Sequence, residues 1–552
     1  MTMAYTDEWL WFEDKQWTEE PPRPEVLDAA AAKRPADSEL AGRALRLHVE
    51  GKSADACELI DRAIEAGDSS PDLLRVAGQI FSDVGRYEDA CAIYGRLLES
   101  TPGDASARHN RAVCLARSGR YEEAAADFRA AEKAGAAPRR SRIGHGVCLL
   151  HLNRPEEALK CFEECLREEP NVEDALFGKA IALHIAGRCD EAESIYRRLA
   201  AKQPDHPELL ACLIASCMVR GDAAGSEEYA TRLIRLRPQS ETALKARARS
   251  AFSRGDYDTA ARSCSELVKI DPASYEASYN AGVALEKLGR LQESAAALRR
   301  AAEIRPDSGA AHAALGFVLF RAGDFRGAFD SCRRAIELEP SNAGAIWNAA
   351  LALEALGEMK EAELAYEQLV AIRQDWEDAW LRLGHLRSLR KDFAGGADAF
   401  ESCMKLRPTS VEAALNAGIA RYYSGELDRS GRHFERAIEI DPKCAEALKG
   451  AAAVAAQTGN ATKALECWKA LARMGVADAN LAYNAGLALQ NASEPEHAID
   501  CYRAAVQLEP GFAEALLNLG HALDAAGRGD EARAEWAKAV EVSPELAEQY
   551  FG

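Results

Sequence analysis

Six asparagines, Asn110, Asn280, Asn348, Asn416, Asn484 and Asn518, stand apart by multiples of 34 residues. A carboxamide both donates and accepts hydrogen bonds. A row of amides at one repeating position therefore holds an extended chain through its own peptide groups, with little demand on that chain's side chains. Three of the six directly follow an aromatic residue, Tyr279, Trp347 or Tyr483, so that an apolar plane lies beside an amide. Ala314, Arg382 and Gly450 fall in the same row and interrupt it, which works against continuous backbone capture. Lys245 and Arg249 lie one helical turn apart, and Arg139, Arg140 and Arg142 form a second basic cluster. Either cluster suits a carboxylate-bearing partner or an acidic segment, with solvated surface charge as the plainer account.

Covalent chemistry has no comparable pattern behind it. The chain contains no G-x-x-x-x-G-K-[ST] loop, no H-E-x-x-H and no G-x-S-x-G, and its 11 histidines are scattered. Those motifs carry phosphate, zinc and acyl chemistry. Carboxylate pairs such as Glu122 with Glu123 and Glu156 with Glu157 sit where helices begin, and there they complement the helix dipole. The nearest cysteines, Cys161 with Cys165 and Cys212 with Cys217, lack the paired CxxC spacing of a zinc site, so core packing is the expected role. The sequence thus predicts no enzyme, no metal and no cofactor. A formal charge of −20, from 68 basic against 88 acidic residues, repels a phosphate backbone and argues against nucleic acid. The opening MTMAYTDEWLWF has neither the basic nor the apolar region of a signal peptide, and no apolar run reaches the roughly 18–20 residues needed to span a bilayer. A cytoplasmic protein with reduced thiols and no membrane insertion is the expectation.

The elements that position these residues follow from two interleaved grids. Prolines stand at 102, 170, 204, 238, 272, 306, 340, 408, 442, 510 and 544, on a 34-residue spacing whose empty places are Ala136, Gln374 and Val476. Offset by 17, glycines stand at 85, 119, 187, 221, 255, 289, 323, 357, 425, 459 and 527, with Asn153, Lys391 and Ser493 as exceptions. Glycine supplies the positive φ that ends one helix, and proline stops the next from running on, so each period holds two helices joined by tight turns. Between breakers the apolar residues keep helical spacing: Leu74, Ala77, Gly78 and Phe81 form one stripe, and Tyr87, Ala90, Tyr94 and Leu97 the next. Small residues recur at Gly78, Gly384, Gly418, Gly486 and Gly520, and again at Ala90, Ala124 and Ala362. Large aromatics recur at Tyr94, Phe162, Phe400, Phe434, Tyr502 and Trp536. Close helix approach explains the first two series, and plugging of the gap towards the next repeat explains the third. Gly395 and Gly396 inside a second helix that also lacks its turn glycine predict a soft or irregular hairpin over 377–410.

This pattern of small residue, turn glycine, alanine, aromatic and closing proline resembles the tetratricopeptide repeat (TPR). The fullest single copy is AEALLNLGHALDAAGRGDEARAEWAKAVEVSPE, from Ala513 to Glu545. The resemblance implies an all-α, right-handed α-solenoid, a superhelix of antiparallel helix-turn-helix repeats, with first helices lining a concave groove. It implies that the second, fifth, sixth and ninth residues of each repeat face a partner; the asparagine row then resembles the ladder in the repeat region of O-GlcNAc transferase, without that protein's catalytic domain. A second family feature, the carboxylate clamp for Hsp70 and Hsp90 tails, begins with Lys245, Arg249 and Asn280. It fails at Ala310 and Ala314, where Lys and Arg are required.

The expected organisation is an acidic, Trp-rich N-terminal tail over 1–36, a degenerate repeat or cap over 37–70, fourteen repeats over 71–546 and a C-terminal tail over 547–552. The N-terminal tail carries Trp9, Trp11, Phe12 and Trp17 among acidic residues, a composition that suits either a partner-binding motif or a cap. The expected function is a scaffold or adaptor for one or more proteins, held as extended segments in the groove. A structural subunit, a homo-oligomer, or an assembly or targeting factor is the alternative.

Overall fold

The computed structural model describes residues 39–476 and 478–545. Among them are thirty helices in chain order, from α1 (Glu39–Val49) to α30 (Gly529–Val542), and no strand. Odd-numbered helices are the first helices of successive hairpins and even-numbered ones the second. The described chain divides into two compact units, 39–290 and 291–545, between α15 (Tyr275–Lys287) and α16 (Leu291–Ile304). Each unit is a stack of helical hairpins. Trp9, Trp11, Phe12, Trp17 and the whole of 1–36 and 547–552 lie outside the described residues. The window 37–70 holds α1 and α2 (Ser53–Glu65), which pack on each other and on α3 (Pro71–Asp83).

The turns obey the glycine grid even where glycine is missing. Gly357 ends its helix at φ 80°, and at the three exceptional places Asn153, Lys391 and Ser493 adopt φ of 54°, 66° and 62°. The geometry is dictated by the hairpin, and a non-glycine residue there carries backbone strain of about 1 kcal/mol. Helix starts show a second regularity. Asp104, Ser240, Ser274, Ser308, Asn342 and Ser410 each precede a first helix and accept the backbone N–H three residues on. Asp222, Asp256, Asp324, Asp392 and Asn460 do the same for second helices. Each such cap contributes about 1 kcal/mol.

Packing explains why small residues and aromatics share the period. A Cβ added at Gly78 would lie 2.6 Å from the Tyr94 ring, and one at Gly384, Gly418 or Gly486 would lie 2.6, 2.7 or 2.6 Å from Phe400, Phe434 or Tyr502. The aromatic of a second helix thus lies flat on the glycine of its own first helix. It also meets the first helix of the next repeat: Gly144 and Gly178 would bring a Cβ within 2.6 Å of Phe128 and 2.5 Å of Phe162. Phe162 and Phe434 are thus each clamped between two first helices, Gly146 and Gly178 for the one and Gly418 and Gly450 for the other, and burial of each ring contributes roughly 1.5–3 kcal/mol.

The hairpin over 377–410 is regular, contrary to expectation: α21 (Glu377–Leu389) and α22 (Phe393–Leu406) are unbroken. Gly395 N–H is capped by Asp392 at 3.0 Å, and a Cβ on Gly396 would meet the Gly384 carbonyl at 3.1 Å. The two glycines serve a helix cap and a close helix crossing.

First helices lie side by side. In the N-terminal unit α11 (Pro207–Arg220) touches α13 (Glu241–Ser253). In the C-terminal unit α17 (Gly309–Arg321) touches α19 (Ala343–Leu356), and α23 (Val411–Tyr423), α25 (Ala445–Thr458), α27 (Ala479–Asn491) and α29 (Ala513–Ala525) touch in turn. Each unit therefore has runs of adjoining first helices, the longest in the C-terminal unit being α23 to α29.

Candidate functional site

On α23 the residues Glu412, Asn416, Ile419 and Tyr423 follow at steps of four, three and four, so they form one stripe on the outward side of the helix. Ile419 is 39% and Tyr423 64% exposed. The same stripe on α27 carries Asn480, Asn484, Leu487 and Asn491, with Asn484 exposed, and on α21 it ends in Leu389, which is 74% exposed. Amides and apolar side chains thus share the outward stripe on α23 and α27, and Phe393 at the start of α22 joins the α21 end to Tyr423, with ring centroids 5.1 Å apart.

The asparagine row splits into two groups. Asn416 and Asn518 are half-buried and Asn484 is exposed, while in the other unit Asn110 is half-buried and donates to the Tyr94 hydroxyl at 3.4 Å. Asn280 and Asn348 are buried, at 1% and 3% exposure, and Asn280 Nδ2 has no hydrogen-bond acceptor among the described residues. The cause lies one repeat back. The position of each Asn faces the preceding repeat's large slot, as Gly144 under Phe128 and Gly450 under Phe434 show. Tyr94, Phe400, Trp468 and Tyr502 fill that slot ahead of the accessible asparagines, whereas Cys264 and Cys332 precede the buried pair. A small thiol leaves room for the amide to sink.

The neighbouring aromatics also turn inwards. Trp347, 9% exposed, stacks on Trp376 with centroids 5.5 Å apart and meets Tyr366 edge-on at 5.5 Å. Tyr279 is 5% exposed, stacks on Tyr275 at 5.8 Å, and burial pushes its hydroxyl pKa up. Tyr483, half-buried, packs on Phe512 at 4.9 Å, and its hydroxyl accepts from Asn518 Nδ2 at 2.9 Å. Trp347, Asn348, Tyr279 and Asn280 are thus packing residues in this structure. The surface expected from their spacing is instead supplied by Leu389, Ile419 and Tyr423, which the sequence reading missed; their signal is an apolar residue three or seven residues beyond the Asn position.

The basic clusters are engaged internally. Lys245 pairs with Glu241 at 3.0 Å, with half-buried Arg249 one turn further along α13. Arg139 pairs with Glu169 at 2.6 Å, and Arg142 with Glu132 and Glu168 at 2.7 Å each. A second concavity of about 710 Å³ lies between α20 (Met359–Ile372) and α21, at the place where Gln374 replaces the closing proline. Val370, Leu383 and Trp380 line it, an Arg387–Glu367 pair at 2.7 Å borders it, and the Trp380 indole donates to the Gln374 carbonyl at 2.9 Å.

All fifteen cysteines are free. Burial pushes Cys161, Cys403 and Cys467 up to about 11, and Cys332 and Cys501 up to about 12, so these thiols are protonated at neutral pH. Among the described residues no cluster of His, Cys, Asp and Glu has metal-binding geometry, and no helix is long and apolar enough to cross a membrane.

A family model described as tetratricopeptide repeat matches residues 218–275, 245–309, 415–481 and 483–547, and a second with the same description matches 149–217 and 319–384. A model described as anaphase-promoting complex, cyclosome, subunit 3, matches 83–165. The peroxisomal targeting signal receptor of Saccharomyces cerevisiae is 36% identical over 75 residues, and that of Candida albicans 32% over 73. These stretches are 14% and 13% of this chain and 12% of each receptor, so only a small part of either relative is spanned. Among solved structures, YrrB, described as a TPR protein with an unusual peptide-binding site, is 18% identical at TM-score 0.32 over 34% of this chain and 97% of its own. The Cut9–Hcn1 hetero-tetramer of the APC/C is 14% identical at TM-score 0.31, over 92% of this chain and 95% of that one. Likenesses of this size concern the fold and carry no argument about partners.

Proposed function

The chain belongs to the tetratricopeptide repeat family, and from that membership we propose that it is a protein-binding scaffold holding an extended segment of a partner on the first-helix face of its C-terminal unit. The observation that carries this reading is the first-helix face of α23 to α29, where exposed Asn484 and half-buried Asn416 and Asn518 stand at one register position and Ile419 and Tyr423 lie open to solvent. Amides at this spacing bond a partner's peptide groups, while the apolar positions take its side chains. The buried Asn280 and Asn348 have no part in it. The peroxisomal receptors matched over one short stretch are, by their description, receptors for a targeting signal; capture of a peptide segment is the reading this chain shares with that description.

The test is site-specific photo-cross-linking in the native cell. A benzophenone side chain at Asn484 should capture a partner protein, whereas the same group at Leu364, 64% exposed on the second helix α20, should not. Equal capture from both positions, or none from Asn484, overturns the assignment of the face.

A further inference from the structure

The most exposed part of this face has an unusual charge for the chain that bears it. Residues 382–391, RLGHLRSLRK, carry four cations and no carboxylate, in a protein of formal charge −20. Arg382, Arg387 and Arg390 are spent on Glu354, Glu367 and Glu363. Lys391 is exposed and has no ion pair among the described residues; Lys449, half-buried on α25, has none either. Between these cations lies an apolar surface: Leu389, Ile419 and Tyr423 are 74%, 39% and 64% exposed, and Phe393 stacks on the Tyr423 ring at 5.1 Å. Of the first-helix carboxylates here, Glu412 stands about 16 Å from Tyr423 along the axis of α23, while Glu446 lies one turn before Lys449 on α25.

A segment with the complementary composition belongs to the same sequence. Residues 7–20, DEWLWFEDKQWTEE, hold six carboxylates against the one cation Lys15, and place Trp9, Trp11, Phe12 and Trp17 among them. Aromatic anchors seated on an apolar patch, with opposite charge at the rim, are what a short segment needs in order to bind.

We propose that segment 7–20 of one copy docks on the Leu389–Tyr423 face of a second copy, its indoles covering Leu389, Ile419 and Tyr423 and its carboxylates facing Lys391 and Lys449. This rests on reading the first-helix face as a surface for extended segments, and it names a second copy of the chain as one occupant. The contact joins two different surfaces, so it is heterologous: each copy offers one segment and one face, and assembly proceeds to a ring or an open chain. Because the rim is ionic and exposed, salt weakens it.

Sedimentation velocity of the full chain tests this. The unaltered protein should associate with rising concentration, and less so at 1 M salt, where the screening length is about 3 Å. Two variants, Trp9→Ala with Trp11→Ala and Trp17→Ala, and Leu389→Ser with Tyr423→Ser, should each associate at least ten-fold more weakly alone. Mixed, they should form a one-to-one dimer, since the intact segment of the second meets the intact face of the first. Lys391→Glu with Lys449→Glu repeats the second variant by charge alone and leaves the apolar packing untouched. A monomeric full chain at every concentration, a variant that associates like the parent, or a mixture that stays monomeric overturns the inference. If the monomer still captures a partner through Asn484, the proposed function stands and this inference alone fails. If copies associate but Asn484 captures no other protein, the reverse holds.

Discussion

Gly450→Ala should destabilise the C-terminal unit although alanine is the better helix former. The change gains about 1 kcal/mol of helix propensity. Against that, the new Cβ would lie 2.5 Å from Phe434 Cε1, roughly 1 Å inside ordinary contact, and the ring has nowhere to go. On its other side a Cβ at Gly418 would already lie 2.7 Å away, and Phe434 is 2% exposed between α23, α24 (Leu427–Ile440) and α25. Overpacking costs about 1–3 kcal/mol, and a ring held on both sides takes the upper part of that range, about 2–3 kcal/mol, so the expected net loss is about 1–2 kcal/mol. Without the ring the sign reverses: in a Phe434→Ala background, which itself costs about 3–5 kcal/mol, Gly450→Ala should stabilise by up to about 1 kcal/mol. The resulting coupling of about 2–3 kcal/mol marks direct contact. A repeat array does not unfold as one cooperative unit, so the readout is local: hydrogen exchange of the amides in α23 to α25. A neutral or stabilising Gly450→Ala with Phe434 in place would refute the argument that ring and glycine share one packing site.

Arg421, 2% exposed, donates to Glu401 at 2.9 Å and Glu426 at 2.7 Å and also bonds Asp398. Arg421→Met should cost about 3 kcal/mol, the lower end for a broken buried pair because Asp398 is 67% exposed. Arg421→Lys should not restore the loss, since one ammonium cannot fork to three carboxylates; local exchange at α23 reads both. Burial lowers the pKa of His145, His151 and His184 below the ordinary 6.5. The unfolded chain then takes up protons first, so stability is fully present above pH 6.5 and is lost as pH falls towards the native values. Amides of α7 (Pro138–His151) and α9 (Glu173–Ile185), corrected for intrinsic exchange, should open more readily at pH 5.5 than at 7.5, and equal protection refutes the sign. Ser493→Gly, which relieves a φ of 62°, should raise the stability of the α27 hairpin by about 0.5–1 kcal/mol, measured by hydrogen exchange of the amides in α27.

Periodicity carried the fold because turns and close packing restrict residue type. Gly at the hairpin turn, Pro after the second helix and Gly under an aromatic ring are backbone and volume requirements, and they recur wherever the hairpin does. The side-chain caps at Ser274, Ser308 and Asn342 keep the same 34-residue spacing, a third series that the sequence reading did not single out. Irregularity at 377–410 was expected from the intrinsic helix cost of Gly395 and Gly396, but the close approach of Gly384 to Gly396 outweighs that cost. The binding surface was harder to read, because exposure of one residue depends on the volume of another one repeat away. Asn348 and Asn416 are identical by register, yet Cys332 lets the first sink while Phe400 holds the second out. Trp347 stood out as an aromatic beside an amide, but Trp376 at the helix junction covers it.

The central claim is that accessible amides on first helices hold a partner's backbone. Once the cross-link at Asn484 has identified a partner segment, its affinity should be measured by calorimetry for the parent chain and for Asn416→Ala with Asn484→Ala and Asn518→Ala. Three hydrogen-bonding amides at about 1 kcal/mol each predict a loss of about 100-fold, with helicity unchanged. An affinity within two-fold of the parent contradicts the account.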